Sequence, residues 1–284
     1  MARASRTPPG QGVDLEIHAP TVERILTGFI AGESRRVGLG RVVVGLSGGL
    51  DSAVAASLAA RALGSRAVTA VLMPWRGSSP ASVKHALLVA GRLGIHHERI
   101  DITPMVEPWV ERYPEAGRVR HGNRMARERM SILFDRSAEH RALVLGTSNK
   151  TELLLGYGTI FGDMASAINP IGDLYKTQLR QLAAHLGIPS SIIRKPPSAD
   201  LWEGQTDEAE VGAPYDVIDR ILHLLFDEWL REDEVAAAGF DPALVARLRR
   251  RVSETQFKRR PPLIAKLSMR TVGADFRYPR DWGT

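Results

Sequence analysis

The chain contains no cysteine in 284 residues. Disulfides, thiolate zinc sites and thiol nucleophiles are therefore excluded, and the absence fits an enzyme of a reducing cytoplasm. No apolar run reaches the roughly 18 residues that a membrane span requires, so no membrane partner is expected. Residues 1–12 are polar and proline-bearing and lack an apolar stretch. They read as a frayed tail, with no signal peptide, and residues 13–284 as a single domain. The eight histidines include the pair His96-His97 but no HExxH spacing, which leaves histidine-based zinc catalysis unsupported. Internal repeats, low-complexity linkers and long blocks of one charge sign are all missing.

What is present is an ordinary globular composition, 44% hydrophobic and 25% charged, enough for one large α/β domain with appendages. The net charge of +6 suits anionic partners, nucleotides or nucleic acid, although a solvated arginine-rich surface gives the same count. The basic residues are densest in RLRRR at 247–251 and FKRRPP at 257–262.

The pattern predicts helices over residues 13–35, 52–63, 79–93, 123–140 and 177–186. Ser79 and Pro80 open the third helix as cap and first residue, and Gly64 and Gly94 close the second and third. Short β-branched or apolar runs predict strands at 41–46, 67–73, 97–102 and 141–147. This alternation argues for a doubly wound, mostly parallel sheet with helices on both faces. Beyond about Pro196 the chain turns to helix and loop, a helical C-terminal extension of the same domain.

The most specific segment is VVVGLSGGLDSAVAASLAARALG at 42–64. Its turn has neither the lysine of a Walker loop nor a G-x-G-x-x-G dinucleotide pattern. In a parallel sheet, ligands sit at the carboxyl ends of strands, where this turn lies. Adjacent Gly48 and Gly49 let backbone N–H groups converge on one anion beside a helix N-terminus, and Ser47 and Ser52 add hydroxyl donors. Asp51 is the odd member, since a carboxylate repels phosphate. A Mg²⁺ ion between them removes the objection; otherwise Asp51 is a plain helix cap.

SGGLDS resembles the signature of the N-type ATP pyrophosphatases, which cleave ATP to AMP and pyrophosphate by attack at the α-phosphate. Four further segments resemble NAD synthetase: LVLGTSNKTELLLGYGTIFGD at 143–163, NPIGDLYKTQL at 169–179, KPPSADLWEGQTDEAEVG at 195–212, and QFKRRPPLIAKLSMRTVGADFRYPRDW at 256–282. The resemblance implies that Gly45, Leu46, Ser47, Gly48, Gly49, Leu50, Asp51 and Ser52 bind ATP, together with Met73, Thr147, Lys176 and Ser198. It implies Asp51 and Glu152 as Mg²⁺ ligands, Asp51 and Lys176 as catalytic residues, and Asn123, Arg127 and Lys258 as contacts to deamido-NAD. The plainer readings are turn residues for Thr147 and Ser198, a core side chain for Met73, solvated charges for Glu152, Lys176 and Lys258, and a solvated or structural charge for Arg129. The family's TKYGDGGAD has a Lys and an Asp that contact deamido-NAD. Here the stretch is TIFGDMASA, with Ile160 and Ala167 at those positions, so those contacts are not carried over.

The implied reaction is amidation of deamido-NAD to NAD through an acyl adenylate, with ATP as co-substrate and ammonia as nitrogen donor. Charge neutralisation and positioning suffice, without a protein nucleophile. LWEGQTDEAE at 201–210 reads as a cover over the adenylate, or as an ordinary surface loop. A glutaminase part would need a cysteine and a long extra region, so ammonia is expected free or from a separate glutaminase chain. The resemblance also implies a homodimer. A tRNA-modifying thiolase or ligase would use the same loop, but it commonly needs cysteines or an added RNA-binding part, and no nucleic-acid partner is expected. A non-catalytic nucleotide sensor would be expected to lose Asp51 or Glu152.

Overall fold

The computed structural model describes residues 13–198, 207–260, 262–272 and 275. The tail at 1–12 and the first part of the 201–210 cover lie outside the described residues. The elements run α1 (Ala19–Arg36), β1 (Val42–Gly45), α2 (Leu50–Leu63), β2 (Val68–Leu72), α3 (Pro80–Leu93), β3 (His96–Arg99), α4 (Thr103–Arg112) and α5 (Arg118–His140). They continue with β4 (Leu143–Leu145), α6 (Lys150–Leu155), α7 (Lys176–His185), α8 (Ser190–Ile193), α9 (Asp207–Val211), α10 (Tyr215–Phe226), α11 (Glu232–Ala237) and α12 (Pro242–Glu254).

All pairings among the four strands are parallel, in the order β3-β2-β1-β4. The order reverses between β1 and β4, so the crevice beyond their carboxyl ends is the natural ligand site. The valines of β1 show why the sheet is wound on both faces. Val42 and Val44 point into a core with α1, α2, α3 and α7, while Val43 points into a second core with α4 and α5. β3, reading HHER, is largely exposed, as an edge strand must be. A third apolar cluster joins Leu15, Leu155 and Tyr175 to α10, α11 and α12.

The doubly wound parallel architecture expected from the sequence is what the structure contains, and the helical C-terminal extension is there as well. Ser79 caps α3 with Pro80 behind it, and Gly94 ends it in the left-handed region. The boundaries differ where proline or a terminal glycine acts. α1 starts at Ala19, because Pro20 favours the first helical turn and disfavours helix before it. Residues 13–18 run instead as an extended lead, in which Gln181 bonds the N–H of Ile17 and the carbonyl of Leu15. α5 starts five residues before the expected Asn123, at Arg118, with Gly117 as its cap. α4 was not expected: Pro104 and Pro108 hid a helix whose Val106 is buried against β1 and β2.

Two short helices carry charged residues to the crevice, and one buried acid fixes them. Asp219 of α10 is fully buried. Its Oδ1 accepts from Thr151 Oγ1 at 2.6 Å on α6, and its Oδ2 from the Thr177 N–H at 2.8 Å on α7. Thr151 Oγ1 in turn accepts from the Lys176 N–H at 3.1 Å. Burial raises the Asp219 carboxyl above its ordinary range, against the pull of these donors. Asp219→Ala leaves a hydroxyl and a helix-terminal N–H unpaired in the interior. The expected destabilisation is about 1–3 kcal/mol, read as a lower melting temperature; an unchanged melting temperature would show that the network contributes nothing.

Candidate active site

β1 ends at Gly45, and the chain turns through Leu46 to Gly49 into α2. Gly48 has φ of +76°, and a Cβ there would collide with the Ser82 carbonyl of α3. Only glycine satisfies both the left-handed backbone and that close approach. Ser52 Oγ accepts from the Ser47 N–H at 3.2 Å and lies 3.1 Å from Ser47 Oγ, which pins the loop over the start of α2. Gly45, Leu46, Ser47, Gly49, Leu50, Asp51 and Ser52 line a cleft of about 480 Å³. Gly48 is packed behind the loop.

The centre of the cleft is an ion triplet. Lys176, the first residue of α7, is 3% exposed, with its Nζ 2.5 Å from Asp51 Oδ2 and 3.4 Å from Glu152 Oε1. Asp51 Oδ1 also accepts from Asn149 Nδ2 at 2.8 Å. Asn149 caps α6 in a reciprocal box with Glu152, so the residue that starts α6 also ties it to α2. Burial opposes charge on Lys176, but the Asp51 and Glu152 carboxylates outweigh it and hold the ammonium above the ordinary lysine range. Burial, and then the Asp51 charge, push the Glu152 carboxyl up to about 8.

Met73, Thr147, Ser198, Asn123 and Lys258 of the expected set also line the cleft. The Met73 carbonyl accepts from Arg129 Nε at 3.1 Å, so Arg129 is a structural charge on the cleft wall. Lys258 donates to the carbonyls of Gly156 and Gly158, at 2.8 Å each, and is therefore a tether for that loop as well as a cleft cation. Arg127 is set apart from the main cleft. It reaches the Ile160 carbonyl at 3.4 Å and lines an adjoining cavity with Trp109, Arg120, Asn123 and Arg124. Asn123 borders both spaces and accepts from Thr159 Oγ1 at 2.6 Å.

Other wall residues were missed from sequence. Asn149 was legible, since N-x-x-E before an apolar run is a capping pattern. Asp207, 4% exposed, accepts from the hydroxyls of Tyr157 and Tyr215 and is raised by burial. Asp163 lines the cleft and accepts from the Thr159 N–H at 2.7 Å, and desolvation raises its carboxyl above the ordinary range. Neither acid carried a local sequence signal.

Among the described residues no cluster of three or more His, Cys, Asp or Glu forms a metal cage. The donor set suits Mg²⁺ all the same: Asp51 and Glu152 offer hard carboxylate oxygens beside a phosphate loop, and Mg²⁺ is commonly completed by phosphate oxygens and water. No helix among the described residues is long and apolar enough to cross a membrane.

The Glu152 shift has a measurable consequence. Its folded value of about 8 lies above the ordinary 4.5. Between these values the unfolded chain loses the Glu152 proton and the folded chain keeps it, so stability falls as pH rises. The ligand-free protein should lose melting temperature from pH 5 to 8, and Glu152→Gln should flatten that decline. Parallel curves for the two proteins would refute the assignment.

A family model described as NAD synthase matches residues 22–262. An NH3-dependent NAD(+) synthetase of Chlorobaculum parvum is 55% identical over 269 residues, covering 95% of this chain and 97% of the relative. Among solved structures, an NH3-dependent NAD synthetase from Campylobacter jejuni, in complex with the nitrate ion, superposes with TM-score 0.76 at 36% identity, covering 88% of this chain and all of that one. An NMN synthetase from Francisella tularensis gives TM-score 0.79 at 31% identity, covering 89% of this chain and all of that one. With a glycine loop at the sheet's switch point, an ion triplet beside it and relatives aligned over nearly their whole length, the chain belongs to the NAD synthase family.

Proposed function

We propose that the protein converts deamido-NAD to NAD, consuming ATP and ammonia and releasing AMP and pyrophosphate. The observation that carries this reading is Lys176 buried between Asp51 and Glu152 beside the glycine loop, in a chain whose relatives bear the name NH3-dependent NAD(+) synthetase.

A carboxylate is a poor acyl donor because oxide would have to leave. Attack of the nicotinate carboxylate oxygen on the α-phosphorus forms an acyl adenylate, and the bond to pyrophosphate breaks. Ammonia then adds to the acyl carbon, AMP departs with the bond electrons, and the surplus proton passes to solvent or a wall carboxylate. The loop N–H groups and the Ser47 and Ser52 hydroxyls bind phosphate oxygens, and the Lys176 ammonium faces charge that develops on the α-phosphate. Asp51 and Glu152 hold Mg²⁺, which when bound neutralises phosphate charge. Met73, Thr147 and Ser198 border the nucleotide, and Asn123, Arg127 and Lys258 meet the acceptor. Residues 13–284 act as one unit. The protein works as a cytoplasmic homodimer supplied with free ammonia or by a separate glutaminase chain. In support of the dimer, α5 carries exposed Val119 and Phe134 on the helix that also bears Asn123 and Arg127.

A mononucleotide acceptor is the second reading. The name of the Francisella neighbour favours it, as do Ile160 and Ala167 in place of two charged acceptor contacts.

The test is incubation with ATP, Mg²⁺ and ammonium or glutamine, with either deamido-NAD or nicotinate mononucleotide as acceptor. NAD, AMP and pyrophosphate should form with ammonium and not with glutamine alone. ADP with inorganic phosphate, or efficient use of glutamine, defeats the proposal, and faster turnover of the mononucleotide selects the second reading.

Calorimetric titration separates the two substrates. Arg127→Ala should weaken deamido-NAD binding roughly 10- to 150-fold, the worth of one charge-assisted contact, with ATP affinity little changed. Lys176→Ala should do the reverse. Unchanged acceptor affinity in Arg127→Ala would exclude the adjoining cavity from the acceptor site.

A further inference from the structure

Lys176 stands beside the phosphate loop, but its charge is already committed. The Asp51 and Glu152 carboxyls share that ammonium in the ligand-free cleft. ATP brings further negative charge, and in-line displacement leaves more of it on the pyrophosphate. The other cations of the cleft wall are engaged: Arg180 pairs with Glu208 at 4.0 Å, Arg129 holds the Met73 carbonyl, Arg251 holds the Leu155 carbonyl, and Lys258 holds the carbonyls of Gly156 and Gly158.

Lys195 is different. It follows α8, lines the same cleft, and makes no ion pair among the described residues. Its Nζ lies 2.9 Å from Ser82 Oγ on α3. Ser82 is 4% exposed and its carbonyl backs directly onto Gly48. The hydroxyl that holds the Lys195 ammonium therefore belongs to the residue pressed against the phosphate loop. Ser82 borders the cleft together with Ser47, Gly49 and Ser52. The charge of Lys195 is felt on α3, where burial and then Lys195 hold His85 below its ordinary range. Lysine suits this task, since its ammonium has three donors and one goes to Ser82.

We propose that Lys195 binds the pyrophosphate end of ATP and receives it as the leaving group. The new bond joins the acceptor carboxylate oxygen to the α-phosphorus. The bond from the α-phosphorus to the bridging oxygen breaks, and its electron pair stays on pyrophosphate. Lys195 remains protonated throughout and faces the β- and γ-phosphates, while Lys176 faces the α-phosphate. The two lysines thus divide the triphosphate, with the glycine loop between them. This inference rests on the amidation reading for ATP as ligand, and its test needs no acceptor.

Calorimetry with Mg²⁺ and inorganic pyrophosphate, and separately with AMP, is run on the wild type, Lys195→Gln and Lys195→Arg. Lys195→Gln should weaken pyrophosphate binding on the order of 10- to 100-fold, the worth of a charge-assisted hydrogen bond. AMP affinity should stay within about twofold, and Lys195→Arg should recover most of the loss. In turnover, Lys195→Gln should raise the inhibition constant of pyrophosphate in the same proportion and leave KM for deamido-NAD unchanged. Equal pyrophosphate affinity in the wild type and Lys195→Gln overturns the proposal and leaves the amidation reading standing. Equal weakening of AMP and pyrophosphate, with a lowered melting temperature, also overturns it, because Lys195 is then a prop for the loop. A wild type that binds neither ATP nor pyrophosphate removes both readings together.

Discussion

The Lys176 ammonium lies between two carboxylates that come from distant parts of the chain, Asp51 at the start of α2 and Glu152 in α6. A buried carboxylate is costly without a compensating charge, and two in one cleft are costlier. Much of the surrounding structure serves to keep the compensating charge in place. Asn149 ties α6 to Asp51, Thr151 and Asp219 fix the first turn of α7, and the parallel sheet sets the loop against both. The same arrangement leaves a carboxylate pair that a divalent ion and a polyphosphate can share once they enter.

The sequence disclosed the α/β class because its signals are local and periodic. Three valines before a glycine turn, serine and proline opening α3, and glycines after α2 and α3 each act within a few residues. α4 carries weaker local signals, with Pro104 in its first turn and Pro108 inside it, and its packing against β1 and β2 outweighs propensity. The glycine loop was legible for the same local reason. Asp163, Asp207 and Lys195 were not. Their roles depend on where the sheet's crevice places them, and no spacing along the chain encodes that. Arg127 shows what a motif match leaves open: it carries a residue to a helix, while which cavity the residue borders is set by the rotation and neighbours of that helix.

The glycine loop and the stretch at 156–168 are held in different ways. The glycine loop is fixed by a left-handed glycine, two serine hydroxyls and close packing on Ser82. The stretch at 156–168 is held by Lys258 at one end and by a one-residue continuation of the sheet at the other, where Leu145 pairs with Ile168. Between these anchors Thr159 donates to Asn123, and the Ile160 carbonyl accepts from Arg127. Ile160 and Ala167, which stand where the resembling pattern has Lys and Asp, lie in that stretch.

Asp219 lies in α10, long after the strands and the glycine loop have been made, yet it is the acid that holds Thr151 and the Thr177 N–H beside Lys176. During synthesis from the N-terminus, the sheet and its phosphate turn can assemble before residue 219 has left the ribosome. The cleft must then wait with an unanchored lysine helix. Asp219 is therefore the last group of this network to be made. The order of synthesis places the acid that anchors the lysine helix after every strand of the sheet it serves.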